Sequence, residues 1–297
     1  LVKPIETATG LTNIKINLYG QVTNPNDIVF NKNLFAKGSL NLLSNTIKIN
    51  GIQTSNLKGL INFNNTDADF SLKSNILSSI VDVNGKINNN ICNITAFSNR
   101  FNIGDVLKLL SLNLPYQNDL STINTSFNMK YNGKIDTIQY DKLSVKGKVY
   151  SNSGIKSAII VNNSDFSLEN SNFKLSTLKG TFREKPYNFN INVSNIFDKS
   201  PIINGQGKFI GLDLSIINNP NVQKFLPSGI AEVLKDTEIN GTTDISLRAK
   251  NSNYNVYTVL DDINILNKPT NTKIILKSGN VLLQNSTLNL NKITAQI

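Results

Sequence analysis

The feature that most constrains the fold of this chain is a strict alternation of apolar and polar residues along many short segments. Apolar residues take every second position in TNIKINLYG (12–20), TSFNMKYNG (125–133), YNFNINVSN (187–195) and TDISLRAK (243–250). Successive side chains of a β-strand point to opposite faces, so a period of two indicates strands with one apolar face. The sequence therefore predicts a mostly β, antiparallel fold whose sheet has an apolar side and a wet side.

Asn-Gly pairs recur between these segments and are typical of tight hairpin turns. The pairs that predict turns are Asn84-Gly85, Asn132-Gly133, Asn204-Gly205 and Asn240-Gly241.

One short pattern occurs three times, as SLNLLSNTIKI (39–49), DFSLENSNFKL (165–175) and NVLLQNSTLNL (280–290). Each copy has four apolar residues at the same offsets around a small polar pair, which predicts a hairpin with a two-residue turn. Apolar residues then face each other across the strands. The predicted pairs are Leu42 with Ile47 and Leu40 with Ile49, Leu168 with Phe173 and Phe166 with Leu175, and Leu283 with Leu288 and Val281 with Leu290.

Two segments abandon the period of two and predict short helices. Ile103, Val106, Leu107 and Leu110 have helical spacing, and the segment 221–235 repeats such a stripe on both sides of a break at Pro227-Ser228. The order of hairpin, strands, helix and returning strand predicts repeat units. We assign residues 1–38 to entry strands, 39–164 and 165–279 to two units, and 280–297 to a truncated third unit.

The inventory of reactive side chains is poor. The chain has no His and one Cys, which excludes Ser-His or Cys-His nucleophiles, cysteine clusters and His metal sites. The acidic pairs Asp67/Asp69 and Asp261/Asp262 lack the further ligands of a calcium loop, so exposed carboxylates are the favoured interpretation. We therefore predict no catalytic residue, no metal, no cofactor and no enzymatic activity.

The formal net charge of +10 raises the possibility of nucleic-acid binding. Arg, which makes the bidentate contacts to phosphate and guanine, appears only three times, and the Lys residues are scattered singly. A solvated basic surface is the favoured interpretation, and no nucleic-acid partner is predicted.

An apolar sheet face must be covered, and the predicted helices are too few to cover it. A second sheet packed on it would form a sandwich, with no function implied. A sheet curled around its own apolar side would instead leave a groove able to receive an apolar ligand such as an acyl chain.

The order of features resembles the AsmA-like family, in particular its YhdP and TamB branch of bacterial bridge-like lipid transfer proteins. The resemblance rests on LKG at 57–59 and 178–180, NGKI (84–87) and NGQGKF (204–209), helical segments that end near LNLP (112–115) and FLP (225–227), and INGTTDISLRAK (239–250).

The resemblance implies an elongated, twisted antiparallel sheet curled into a taco-like groove, with two short helices. It further implies a periplasmic bridge that is tethered to the inner membrane by an anchor absent from this chain and moves phospholipid toward the outer membrane, where its partner is unknown. From the alternation we assign the groove residues that would shield acyl chains. They are Leu40, Leu42, Ile47, Ile49, Phe127, Met129, Phe166, Leu168, Phe189, Ile191, Val193, Ile245 and Leu247.

Two other functions are compatible with the sequence. One is a structural or adhesive β-repeat surface protein, and the other is a TamB-like role in outer-membrane protein assembly. A β-solenoid has rungs of about 20 residues without helices, whereas the repeat here is several times longer and contains helical segments.

Overall fold

The structure, a computed structural model, is built almost entirely from antiparallel β-strands. It describes residues 6–21, 24, 29, 34–49, 52–109, 116–152, 154, 156–224, 228–285 and 287–297. Strands make up 72% of the chain, which confirms the prediction of a mostly β fold. The strands are β1 (Thr7–Gly20), β2 (Leu34–Ile49), β3 (Ile52–Asn64), β4 (Asp67–Ile76), β5 (Ser79–Asn88), β6 (Ile91–Asn102), β7 (Ile123–Lys134), β8 (Leu143–Ser151), β9 (Ile159–Val161), β10 (Ser164–Glu169), β11 (Asn172–Phe182), β12 (Lys185–Ser194), β13 (Ile202–Asp213), β14 (Thr237–Asn240), β15 (Thr242–Lys250), β16 (Asn253–Asn267), β17 (Thr272–Gln284) and β18 (Thr287–Gln296).

The chain divides into two compact units. The first comprises the described residues of Leu1–Ser111, Asn124–Lys148 and Ser167–Ser171, and the second those of Leu112–Ile123, Val149–Phe166 and Asn172–Ile297. In the first unit, β1 to β7 pair in chain order as an antiparallel meander. In the second unit the antiparallel order is β11, β12, β13, β15, β16, β17, β18, with β9 beside β11 and β14 beside β16.

Short helices interrupt the strands at the two predicted places and also outside them. They are α1 (Ile103–Leu109), α2 (Gln117–Leu120), α3 (Pro220–Gln223) and α4 (Ser228–Lys235), and 3₁₀ helices occupy Tyr140–Lys142 and Leu214–Asn218. The helices predicted near 103–110 and 221–235 are confirmed, except that Leu110 and residues 225–227 lie outside the described residues. Helical segments follow β6 and β13, although β6 pairs directly with β7 and β13 with β15.

The hairpin turns are mostly Asn turns rather than the Asn-Gly turns predicted from the sequence. Both residues of Asn89-Asn90, Asn170-Ser171 and Asn251-Ser252 have positive φ, as a type I′ turn requires. Asn tolerates this left-handed conformation better than most residues that carry a side chain, so the turns do not need glycine.

Three of the predicted Asn-Gly turns are wrong, because Gly85, Gly133 and Gly205 lie inside strands. At Gly85 the missing side chain makes room for an aromatic ring from the neighbouring strand. Gly85 pairs with Phe70, and a Cβ at this position would lie 2.2 Å from the Phe70 ring. Only Asn240-Gly241 falls between two strands, β14 and β15.

The first of the three predicted hairpins is also wrong, because β2 runs through it without reversing. Leu42 pairs with Thr12 and Gly59 instead of Ile47, and neither Ser44 nor Asn45 has a positive φ. The register shifts between Leu42 and Asn45, and Asn45 Nδ2 donates to Thr12 Oγ1 at 2.9 Å. The polar pair is therefore a bulge in a strand held on both sides by β1 and β3.

The second copy has the predicted turn, and the third has the predicted strand pairs. Positive φ at Asn170 and Ser171 separates β10 from β11, which confirms the second turn. In the third copy, the register pairs β17 with β18 as predicted, with Leu283 opposite Leu288 and Val281 opposite Leu290.

Candidate functional site

The first unit carries a continuous row of apolar side chains across its strands. Residues that pair across antiparallel strands share a face of the sheet, so the registers define these rows. One row contains Leu40, Ile61, Phe70, Gly85, Ile94 and Tyr131, and the next contains Leu42, Gly59, Leu72, Val83, Ala96 and Met129. We call this side the apolar face of the first unit. The predicted residues Leu40, Leu42 and Met129 all lie on this face, which extends over the six strands from β2 to β7.

The second unit has an equivalent apolar face. One row contains Leu178, Phe189, Gly207, Leu247, Val256, Leu283 and Leu288, and the adjoining row contains Gly180, Tyr187, Phe209, Ile245, Thr258, Val281 and Leu290. Ile191 pairs with Leu175 and Gly205 in the row on the other side. The predicted Phe189, Ile191, Ile245 and Leu247 therefore lie close together on one face.

The remaining predicted residues lie beside these rows. Phe127 pairs with Ser98 and contacts the Phe101 ring, with centroids 5.8 Å apart. Val193 pairs with Ile203. Ile47 pairs with Ala8 and Thr54, and the Ile49 side chain is outside the described residues.

The last two predicted residues come from strand β10. Phe166 contacts the Phe173 ring at 6.2 Å, and Leu168 belongs to the first unit.

Exposure varies strongly across the two apolar faces. Each predicted groove residue whose side chain is described is half-buried. Residues on the outermost strands are far more exposed, as Ile14 on β1 (61%) and Leu290 on β18 (59%) show. Under the second helical segment the side chains are buried, with Ile263 only 1% exposed. Within the second unit, the apolar face is thus covered at its helical end and increasingly accessible away from it.

The cover of the second unit is the 3₁₀ helix Leu214–Asn218. Its Ile216 packs against Phe182, Tyr187 and Leu212, and its Leu214 forms a cluster with Leu260 and Ile263. The helix is fixed to β14 by the Asn218 amide, which donates to the Ile239 carbonyl and accepts from the Ile239 N–H, each at 2.9 Å. These two hydrogen bonds satisfy the backbone of Ile239 as a neighbouring strand would. They hold the 3₁₀ helix in place on the sheet.

An aromatic cluster beneath this cover was not identified from the sequence. The rings of Phe182, Tyr187 and Phe189 surround Phe209, with centroids 5.1 to 6.4 Å from it. Tyr187 donates its hydroxyl to the Ile160 carbonyl at 3.0 Å, and burial raises the pKa of this phenol to about 12. Each ring follows the alternation of its own strand, but only the register brings the four together.

The first helical segment is held by a network of polar side chains. Asn124, which is 1% exposed, accepts from Arg100 Nε at 3.3 Å and from Asn102 Nδ2 at 3.4 Å. Asn102 also caps α1 by accepting from the Asp105 N–H, and the Asp105 carboxylate accepts from the N–H and hydroxyl of Ser78. This network was not predicted from the sequence, although the spacing of Asn102 and Asp105 is that of a capping box.

The opposite, polar faces carry exposed ion pairs. Lys208 Nζ lies 2.7 Å from Asp244, and its hydrogen bond holds the pKa of that carboxyl below the usual value. Of the acidic pairs singled out in the sequence, Asp69 lies 3.7 Å from Lys86 and Asp262 lies 2.8 Å from Lys277. These contacts fit the interpretation that the carboxylates are solvated groups.

Within the described residues, no group of three or more His, Cys, Asp or Glu side chains is arranged to hold a metal ion. The helices of that same part of the chain are too short or too polar to cross a membrane. Comparison with protein-family models, curated proteins and solved structures gives no match to this chain.

Proposed function

We propose that this protein binds the acyl chains of lipids on its apolar sheet faces and acts as a non-catalytic segment of a lipid conduit. The observation that supports the proposal is the row of Leu178, Phe189, Leu247, Val256 and Leu283, which crosses the second unit without an interposed charged side chain. The members of this row are only half-buried.

A row of this kind can bind an extended apolar ligand, such as an acyl chain, whatever its length. Each methylene transferred from water onto an apolar surface contributes about 0.8 kcal/mol, so a long acyl chain gains affinity from many weak and equivalent contacts. No particular side chain is needed for such binding, and a chain can move along the row without breaking a specific hydrogen bond. This is the behaviour expected of a conduit rather than of an enzyme.

The finer shape that fits this function is an elongated, twisted sheet curled around its apolar side into a taco-like groove. The polar faces would then be outside, in water, and the head groups would lie at the strand ends. In the same proposal the protein works in the periplasm, tethered to the inner membrane, and supports phospholipid transport between the inner and outer membranes.

The test is the lipid content of the purified protein, extracted and identified by mass spectrometry. Ile191→Asp combined with Leu247→Asp places two carboxylates on the apolar face of the second unit and is expected to abolish co-purified phospholipid. The matched control is Asn190→Asp combined with Ser246→Asp, on the same two strands but on the polar face, which is expected to retain lipid.

Circular dichroism of both double variants checks that the β-structure is intact. Wild-type protein free of lipid would contradict the proposal, and so would equal lipid loss in the two folded double variants. A lipid-free wild type would favour the structural or adhesive alternative.

A further inference from the structure

The turn between β11 and β12 departs from the rule that the other type I′ turns follow. Arg183 and Glu184 both have positive φ, with values of 46° and 67°. The comparable turns Asn89-Asn90, Asn170-Ser171 and Asn251-Ser252 all begin with Asn, which tolerates this conformation. Arg and Glu have no such preference, and residues held in sparsely populated backbone conformations often have a functional role.

The Arg183 side chain lies against the aromatic cluster of the second unit. Its guanidinium is 5.7 Å from the centroid of the Tyr116 ring and 6.0 Å from that of Phe182. These two rings contact each other edge to face at 5.2 Å, and Phe182 is buried next to Phe209. Contact with two rings holds the guanidinium in place at the border of the apolar face.

The two ring contacts leave the N–H groups of the Arg183 guanidinium free to bind a ligand. Arg183 is exposed, and within the described part of the chain none of the ion pairs involves it. A cation–π contact uses none of the N–H donors of a guanidinium, so these donors stay free to bind an anion. A planar fork of donors matches the oxygens of a phosphate group in a bidentate contact.

We propose that Arg183 binds the phosphate of a phospholipid head group at the border of the apolar face. This rests on the proposed function, because the acyl chains of the same lipid would lie on the row that begins at Leu178 and Phe189. The turn places the cation at a strand end, where a head group reaches water while its tails remain on the apolar face. The lipid class assigned in this way is one whose head group carries a phosphate.

The test compares three soluble probes by isothermal titration calorimetry on the full chain. Dihexanoyl phosphatidic acid carries tails and phosphate, dihexanoylglycerol carries the same tails only, and inorganic phosphate carries the anion only. The wild type is expected to bind phosphatidic acid at least about tenfold more tightly than either other probe, because a charge-assisted hydrogen bond contributes at least one order of magnitude in affinity.

The decisive variant is Arg183→Asn, since Asn suits the turn and removes only the cation. Its affinity for phosphatidic acid is expected to fall about tenfold, with the affinity for dihexanoylglycerol unchanged. Arg183→Lys keeps the charge without the planar fork and should lose a smaller factor. Arg248→Asn is the matched control, because Arg248 is exposed on β15 between Gln206 and Asn255 and should not affect either lipid.

Three results would overturn the assignment. One is an unchanged affinity of Arg183→Asn for phosphatidic acid, and another is inorganic phosphate binding as tightly as the lipid, which would indicate a free-anion site. The third is a wild type that binds neither lipid probe, which would reject the proposed function as well. If dihexanoylglycerol still binds while Arg183→Asn has no effect, only the head-group assignment is lost.

Discussion

The two helical segments occupy equivalent positions in the two units but differ in the side chains that fix them. Each follows a strand that shifts register just before it ends, between Ser98 and Phe101 in β6 and between Phe209 and Leu212 in β13. In each unit the returning strand also carries a buried threonine near its start, Thr125 in β7 and Thr243 in β15. The two units therefore share the same order of register shift, helical segment and returning strand.

The side chains that fix these helical segments differ. Both segments have polar anchors, around Asn124 and Asp105 in the first unit and at Asn218 in the second. The second segment adds Leu214 and Ile216, which pack in two apolar clusters on the sheet. We call the hydrogen-bond network of Asn124 the polar attachment and the packing of Leu214 and Ile216 the apolar attachment. The apolar attachment covers one end of the apolar face in the second unit.

The largest expected effect is in the apolar attachment. Ile263→Ala removes a fully buried side chain from beneath the 3₁₀ helix and is expected to lower the free energy of unfolding by about 2 to 5 kcal/mol. Val259→Ala, on the same strand but 48% exposed, should change it by less than about 1 kcal/mol. Urea unfolding followed by circular dichroism measures both. Equal effects of the two substitutions would show that the helix does not protect this end of the face.

A smaller effect is expected in the polar attachment. Asn124→Ala leaves the donors of Arg100 and Asn102 without their acceptor and should cost about 1 to 3 kcal/mol. Asn128→Ala, exposed on the same strand, is the control and should be close to neutral. The same urea titration applies. If Asn124→Ala were as mild as its control, the first helical segment would not depend on this hydrogen-bond network.

The smallest effect concerns the single hydrogen bond of the aromatic cluster. Tyr187→Phe removes the bond to the Ile160 carbonyl and should cost about 0.5 to 1.5 kcal/mol at neutral pH. Tyr257→Phe, whose exposed hydroxyl donates to Asn280, should cost less.

The pH dependence of folding stability provides a second test of Tyr187. The pKa of Tyr187 is raised to about 12 in the folded protein, above the value of about 10 in an unfolded chain. Between these two values the unfolded phenol loses its proton and the folded one keeps it, so stability falls as the pH rises from about 10 to 12. Thermal melts across this range should show a smaller fall in Tyr187→Phe than in the wild type. An identical fall in both would mean that Tyr187 is not desolvated.

The strand faces were predictable from the sequence because the alternation is a local signal. In β12, the apolar Phe189, Ile191 and Val193 were assigned correctly to one face. The first hairpin was not predictable in this way, because Ser44-Asn45 resembles a turn locally and becomes a bulge only through pairing with β1 and β3. Long-range pairing overrides a local turn preference in that case.

The candidate site was predictable only in part for the same reason. Which apolar residues share a row depends on register, a property of strands far apart in the sequence. Phe189 and Leu247 could be assigned to apolar faces one strand at a time, but not to a single row with Gly207 between them. Arg183 gave no signal at all, since it contacts Tyr116, a residue 67 positions earlier in the chain.

Site-resolved photocrosslinking can show whether the apolar faces hold acyl chains. A phospholipid with a diazirine at the end of one acyl chain is irradiated with the protein, and the modified residues are identified by mass spectrometry. If acyl chains lie on the apolar face of the second unit, labels are expected on Phe189, Ile191 and Leu247, alternating with unlabelled neighbours. Labels concentrated on Asn190 and Arg248 of the polar face, or no label despite bound lipid, would contradict it.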